Sequence, residues 1–202
     1  MEMLSDDTDL WQSFKEGDKD SFKNIYFKYF HNLYEYGMRI SGDKEIVKDT
    51  IHDLFVKLWN NKSNLGDVTA LRAYLLVALR STLYNNLQKI SRKPVEELSE
   101  NTPFEMVFSV ESDYIKKESA LADNQKLKEA LELLTPRQKE VIYLRYFEEM
   151  EYAEIAAIMN ITVKGVYKLT ARALETLRQI LNISGTSLLL ILALLPGRMV
   201  FG

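Results

Sequence analysis

This chain of 202 residues contains no cysteine, which excludes disulfides, a thiol nucleophile and thiolate-ligated metals. With no secretory leader in its first residues, that absence points to the cytoplasm. Histidine is nearly missing too: His31 and His52 are the only two, and neither sits in a metal-site spacing. Four prolines, eight glycines and few β-branched alternations argue against sheet and leave an all-α fold. There is no glycine-rich phosphate loop, no nucleophile and base in a motif and no metal cluster. An enzyme is therefore not expected, nor a cofactor, nor a small-molecule substrate. The acidic pairs Asp6 with Asp7 and Glu148 with Glu149 fall at turns and read as solvated charge. Long apolar runs are lacking as well. The longest, Leu188 to Leu195, is about half of what a membrane-spanning helix needs, and Pro196 and Arg198 follow it. No transmembrane segment is expected. The tail 183–202 reads as an apolar surface that docks on its own domain or on a partner, ahead of self-association or peripheral membrane contact.

What the chain does have is a hydrophobic share of 47%, enough for real cores, and an uneven charge. The net charge is -3, yet residues 56–93 carry seven basic side chains and one acidic, and residues 162–202 carry five and one. Two basic islands in an acidic protein suit a ligand of negative charge touched at two separated places.

Helical spacing organises both halves. Residues 8–16 and 19–39 read as helices separated by Gly17, the second with Phe22, Tyr26, Tyr29, Phe30 and Leu33 as a core stripe. A helix over 44–60 buries Val47, Ile51, Leu54, Phe55 and Leu58. Its far side then presents Asp49, His52, Asp53, Val56, Trp59 and Asn60, an aromatic anchor among charges suited to a protein partner. A helix over 69–91 buries Leu71, Leu75, Leu76, Leu79, Leu83 and Leu87. Its other side carries Arg80, Ser81, Tyr84, Asn85, Gln88, Lys89 and Arg92, cations and amides with one ring, which suits phosphates and unpaired bases. Pro94 ends that helix, and the acidic stretch 95–117 reads as a flexible linker.

A second helical unit is expected over 118–182. Leu121, Leu127, Ala130, Leu131 and Leu134 mark a helix over 118–134, and Thr135 with Pro136 and Gln138 encodes a capped helix start. In the stretch YAEIAAIMNITVKGVYKLTA at 152–171, Ile155, Ala156, Met159, Ile161, Val166 and Leu169 have the spacing of two short crossing helices. Asn160 tolerates the left-handed exit and Thr162 caps the next helix. That helix places Val166, Leu169, Ala173, Leu177 and Ile180 on one stripe and Lys164, Lys168 and Arg172 opposite. The pattern is a helix-turn-helix with a cationic outer face.

In this order the motifs resemble the extracytoplasmic-function group of bacterial RNA polymerase sigma factors over about residues 5–182. VKDTIHDLFVKLW at 47–59 is similar to the family's polymerase-binding helix, AYLLVALRSTLYNNLQK at 73–89 to its promoter-melting helix, and LTPRQKEVIYLRYFEEMEYAEIAAIMNIT with ARALETLR to its C-terminal domain. The resemblance implies an alternative sigma factor that binds core RNA polymerase and promoter DNA and is held by an anti-sigma factor. It assigns residues 1–94 to a region-2-like domain and 118–182 to a region-4-like domain. Core polymerase would meet Asp49, His52, Asp53, Phe55, Val56 and Trp59. The −10 element would meet Arg80, Ser81, Tyr84, Asn85, Gln88, Lys89 and Arg92, and the −35 element Thr162, Lys164, Gly165, Tyr167, Lys168 and Arg172. The acidic linker would enter the polymerase near its RNA path. His52, Ser81 and Gln88 depart from residues usual or common in the family. Two other functions fit the same pattern: a helix-turn-helix regulator that binds duplex DNA without polymerase, and a sigma-like adaptor that no longer reads DNA.

Overall fold

The computed structural model describes residues 7–91, 104–106 and 126–184, and every ordered element among them is helical. The chain divides into two compact units, Met1–Ser99 and Glu100–Gly202.

The first unit contains α1 (Asp7–Lys15), α2 (Lys19–Ser41), α3 (Lys44–Asn61), a short 3₁₀ turn (Lys62–Asn64) and α4 (Leu71–Ser91). Gly17, at φ +97°, makes the reversal after α1. Asp18 then caps α2 by accepting the Ser21 amide at 2.8 Å, and hydrogen bonding to the Ser21 side chain, together with that amide, holds its carboxyl below the ordinary value. Asp43 caps α3 in the same way, accepting the amides of Glu45 and Ile46 at 2.9 and 3.2 Å. α2 and α3 approach closely at Gly37, where an added Cβ would lie 2.8 Å from Val47 Cγ1. The core joins Trp11 and Phe14 of α1 to Ile25, Leu33 and Tyr36 of α2, Val47, Ile51 and Leu54 of α3, and the leucines of α4. Each such side chain contributes about 1.5–3 kcal/mol by leaving water.

The buried stripe of α2 is Ile25, Tyr29, Leu33, Tyr36 and Ile40, so the expected aromatic stripe is displaced. Only Tyr29 and Leu33 of it are buried, while Phe22, Tyr26 and Phe30 are half-exposed at the flank. Asp7 is not simply solvated: it accepts the Tyr29 hydroxyl and pairs with Lys28 at 2.7 Å. The loop before α4 is tied to α1 by Trp11 Nε1 donating to the Gly66 carbonyl at 3.0 Å and by Lys15 with Asp67 at 2.5 Å.

The second unit begins, among the described residues, with Phe104 and Met106. Both are buried, and the Phe104 ring lies 5.6 Å from that of Tyr143. This part of the stretch read as flexible linker is therefore packed, because its two apolar side chains have a core to enter. The remainder of 95–117 and the tail 185–202 lie outside the described residues. α5 is described over residues 126–132, and the expected helix residues 118–125, with Leu121, lie outside the described residues; α6 is Pro136–Ile142, continued by a π-helical turn over Tyr143–Phe147, α7 is Tyr152–Met159 and α8 Val163–Leu181. The capping box at α6 is formed: Gln138 N donates to Thr135 Oγ1 and Thr135 N to Gln138 Oε1. Leu127, Leu131, Val141, Ile142, Leu144, Ile155, Ile158, Val166, Ala173 and Leu177 form the core.

Candidate nucleic-acid and partner interfaces

On α3 the expected far side is largely open. Asp49, His52, Asp53, Val56 and Asn60 are exposed, Val56 at 43%. Phe55 and Trp59, both given to the polymerase contact by the resemblance, are less open. Phe55 is buried at 3%, edge-on to Phe22 and Tyr26 at 5.9 and 4.8 Å, because its position completes the inner stripe. Trp59 is only half-exposed, with its ring centroid 5.0 Å from Phe22 and 6.3 Å from Phe14 and the Lys62 ammonium over it at 4.3 Å. It borders the acidic patch as part of an aromatic cluster rather than standing free.

α4 departs further. Its buried side is wider than the leucines alone predict and runs on to Arg80, 6% exposed, and Tyr84, 4% exposed. The Arg80 guanidinium lies over the Tyr84 ring at 4.6 Å, so a cation is tolerated there against an aromatic face. The expected row therefore splits. Ser81, Asn85 and Lys89 are exposed and Gln88 half-exposed, whereas Arg80 and Tyr84 are not available to a ligand in this conformation. Arg92 lies outside the described residues. Leu87 is half-exposed. Asn86, on the inner side, donates to Thr50 Oγ1 of α3 at 3.1 Å and fixes the rotation of α4.

The helix-turn-helix follows its sequence more closely. α7 ends at Asn160, which adopts φ 51° and ψ 50°, and its amide returns to the Ala156 and Ala157 carbonyls. Thr162 then caps α8, its Oγ1 accepting the Gly165 amide at 3.0 Å. Thr162, Lys164, Tyr167, Lys168 and Arg172 are exposed and Gly165 half-exposed, so all six expected residues share the outer side of α8 or its cap. The buried stripe is Val166, Thr170, Ala173 and Leu177; Leu169 is half-exposed and Ile180 is 40% exposed, both turned partly outward by the 3.6-residue period. Near the far end, Arg178 and Gln179 hold the Glu175 carboxyl below its ordinary value.

Four side chains around α7 and α8 had no signal in the spacing. Tyr152, the first residue of α7, stacks on Tyr167 of α8 with centroids 4.2 Å apart and planes at 24°. Arg145 lies 5.0 Å from the Tyr152 ring, donates to the Met150 carbonyl at 2.8 Å and approaches Glu151 at 3.7 Å. Burial raises the neighbouring Tyr146 hydroxyl, with the Tyr152 hydroxyl adding to the shift. Val163, 42% exposed, sits one turn before Tyr167. The pair Glu148 and Glu149 is not simply solvated: Glu148 is buried and accepts the Tyr143 hydroxyl at 2.5 Å, and Glu149 takes φ 54°. Among the described residues no group of acidic or imidazole side chains could hold a metal, and no helix is long and apolar enough to cross a membrane.

Residues 124–177 match the family model described as sigma-70, region 4. The chain is 25% identical over 156 residues to the RNA polymerase sigma factor YlaC of Bacillus subtilis, covering 77% of this chain and 88% of that one. It is 23% identical over 173 residues to the ECF RNA polymerase sigma factor SigW of the same organism, covering 82% and 91%. Among solved structures, the fold is similar to that of the sigma factor RpoE in complex with the anti-sigma factor NepR from Bartonella quintana. That match has a TM-score of 0.58 at 22% identity and covers 83% of this chain and 99% of that one. A second is CnrH in complex with the cytosolic domain of CnrY, with a TM-score of 0.57 at 19% identity, covering 87% and 97%. With a region 4 match over residues 124–177 and relatives named as RNA polymerase sigma factors along more than three quarters of its length, the chain is similar to the extracytoplasmic-function group of bacterial RNA polymerase sigma factors.

Proposed function

We propose that this protein is an alternative sigma factor that binds core RNA polymerase, directs it to a subset of promoters and is held inactive by an anti-sigma factor. It works in the cytoplasm and has no enzymatic activity of its own. The single observation that supports this best is the pairing of two different exposed polar faces in one chain: Ser81, Asn85 and Lys89 on α4, and Lys164, Lys168 and Arg172 on α8. A regulator of duplex DNA alone needs only the second.

The first unit serves as the region-2-like domain. Asp49, His52, Asp53 and Val56 on α3 meet the polymerase, with Trp59 at the edge of that contact. Ser81, Asn85, Gln88 and Lys89 meet the −10 element, with Arg92 beyond them. The second unit reads the −35 element: Lys164, Lys168 and Arg172 contact phosphates on either side of the major groove, and Thr162, Gly165 and Tyr167 sit where the first turns of a recognition helix meet base edges. The burial of Arg80 and Tyr84 favours one competing reading, an adaptor that binds polymerase and no longer opens DNA.

Run-off transcription with purified core polymerase on a genomic promoter library separates these readings. A sigma factor gives promoter-dependent transcripts only when core enzyme is present. Core binding without transcripts indicates the adaptor, and a footprint on duplex DNA without polymerase indicates the regulator.

A further inference from the structure

The outer side of α8 is not uniformly cationic. Beside the row Lys164, Lys168 and Arg172 runs a second exposed row of Val163, Tyr167 and Ala171, with Val163 42% and Tyr167 55% exposed. A large exposed ring on a single helix ordinarily samples several rotamers, and ordering it on a ligand has an entropic cost. Tyr167 is not left in that condition. Its ring stacks on Tyr152 at 4.2 Å, and Arg145, itself anchored on the Met150 carbonyl, lies 5.0 Å from the Tyr152 ring. A contact between α7 and α8 needed only for stability would be more strongly stabilised by burial; here the ring is braced and still open to solvent.

We infer that Tyr152, supported by Arg145, is a positioning residue that presets Tyr167, and that Tyr167 with Val163 reads a thymine methyl in the major groove of the upstream promoter element. The first turns of a recognition helix meet base edges, and the thymine C5-methyl is the apolar group those edges offer there. The cationic row next to it sets the register through phosphates, which carry no sequence information themselves. This inference rests on α8 being the duplex-reading helix, and the test separates the two claims.

The probe is an upstream promoter element selected from a random duplex library with the complete holoenzyme, then resynthesised with deoxyuridine replacing thymine one position at a time, which removes only the methyl. The wild-type holoenzyme loses about fourfold in affinity at one or two adjacent positions, the value of one buried methyl group. Tyr167→Ala and Tyr152→Ala each abolish that discrimination, whereas Tyr152→Phe, which keeps the stack, retains it. Lys168→Ala weakens thymine and deoxyuridine duplexes equally. Should Tyr152→Ala fail to fold, the wild type and Tyr167→Ala still decide the thymine contact, and Tyr152→Leu, which keeps bulk but not the ring stack, takes its place in testing the positioning role. Equal binding of thymine and deoxyuridine at every position by wild type, with Lys168→Ala still weakening binding, overturns the thymine contact and leaves α8 as the reading helix. Undiminished discrimination in Tyr152→Ala overturns the positioning role. No effect of Lys168→Ala or Tyr167→Ala on any upstream duplex removes α8 itself from the interface.

Discussion

α4 and α8 both carry a cationic and amide-bearing or aromatic side, yet they use the same residue types differently. On α8 the cations stand in water and its tyrosine, Tyr167, is braced but open. On the polar side of α4 a tyrosine and an arginine, Tyr84 and Arg80, lie against each other at 6% exposure or less. α8 packs along the single narrow stripe of Val166, Thr170, Ala173 and Leu177, so half its circumference stays free. α4 packs through a broad arc of leucines, and the residues at the arc's edge are drawn in with it. A polar residue one helical step from a wide apolar face belongs to the fold before it belongs to a ligand.

The contrast can be broken first with stability. Tyr84→Ala should cost about 3 kcal/mol in urea denaturation, as for other large buried rings. Tyr167→Ala should cost about 0.5 kcal/mol or less, as for exposed sites. Similar losses at both would mean that the two tyrosines are not differently placed. Lys168→Ala should weaken promoter binding at every sequence and lower the slope of log affinity against log salt by about one, a change that Ser81→Ala should not produce. The turn that aims α8 gives a smaller effect. Asn160 holds φ 51°, so Asn160→Ala should lose about 1 kcal/mol while Asn160→Gly stays near neutral, measured by thermal melting.

The smallest effect concerns acid. Asp18 in the first unit and Glu175 in the second both have carboxyls held below their ordinary values by hydrogen bonds. Their contribution to stability is present above the ordinary carboxylate range and fades as pH falls through the lowered values. Asp18→Asn, which still accepts the Ser21 amide, should make the acid side of the melting-temperature profile shallower without changing it near neutrality. An unchanged acid limb would remove Asp18 from that linkage.

Much of this was legible in the sequence, for local reasons. The capping box at Thr135, the left-handed exit at Asn160 and the Thr162 cap depend on neighbours within four residues, and each forms as its spacing implies. The inner stripe of α3 was equally plain, because Val47, Ile51, Leu54, Phe55 and Leu58 leave no doubt about direction. What spacing did not carry was contact across the chain. Trp59 looked unpartnered until Phe14 and Phe22 of other helices came against it. Phe104 lay in a stretch without a period, yet one aromatic residue is enough to dock on Tyr143. The Tyr152 and Tyr167 stack joins residues on successive helices, and the helical period of either one does not register it.

The division of labour between the two helices is tested most directly by permanganate reactivity of unpaired thymines, measured together with promoter occupancy on a promoter selected by the wild-type holoenzyme. Lys168→Ala should lower occupancy while leaving the opened fraction of bound complexes unchanged. Asn85→Ala should leave occupancy nearly intact and lower the opened fraction. If Lys168→Ala reduces opening at full occupancy, or Asn85→Ala reduces occupancy without changing opening, the roles given to α8 and α4 are wrong.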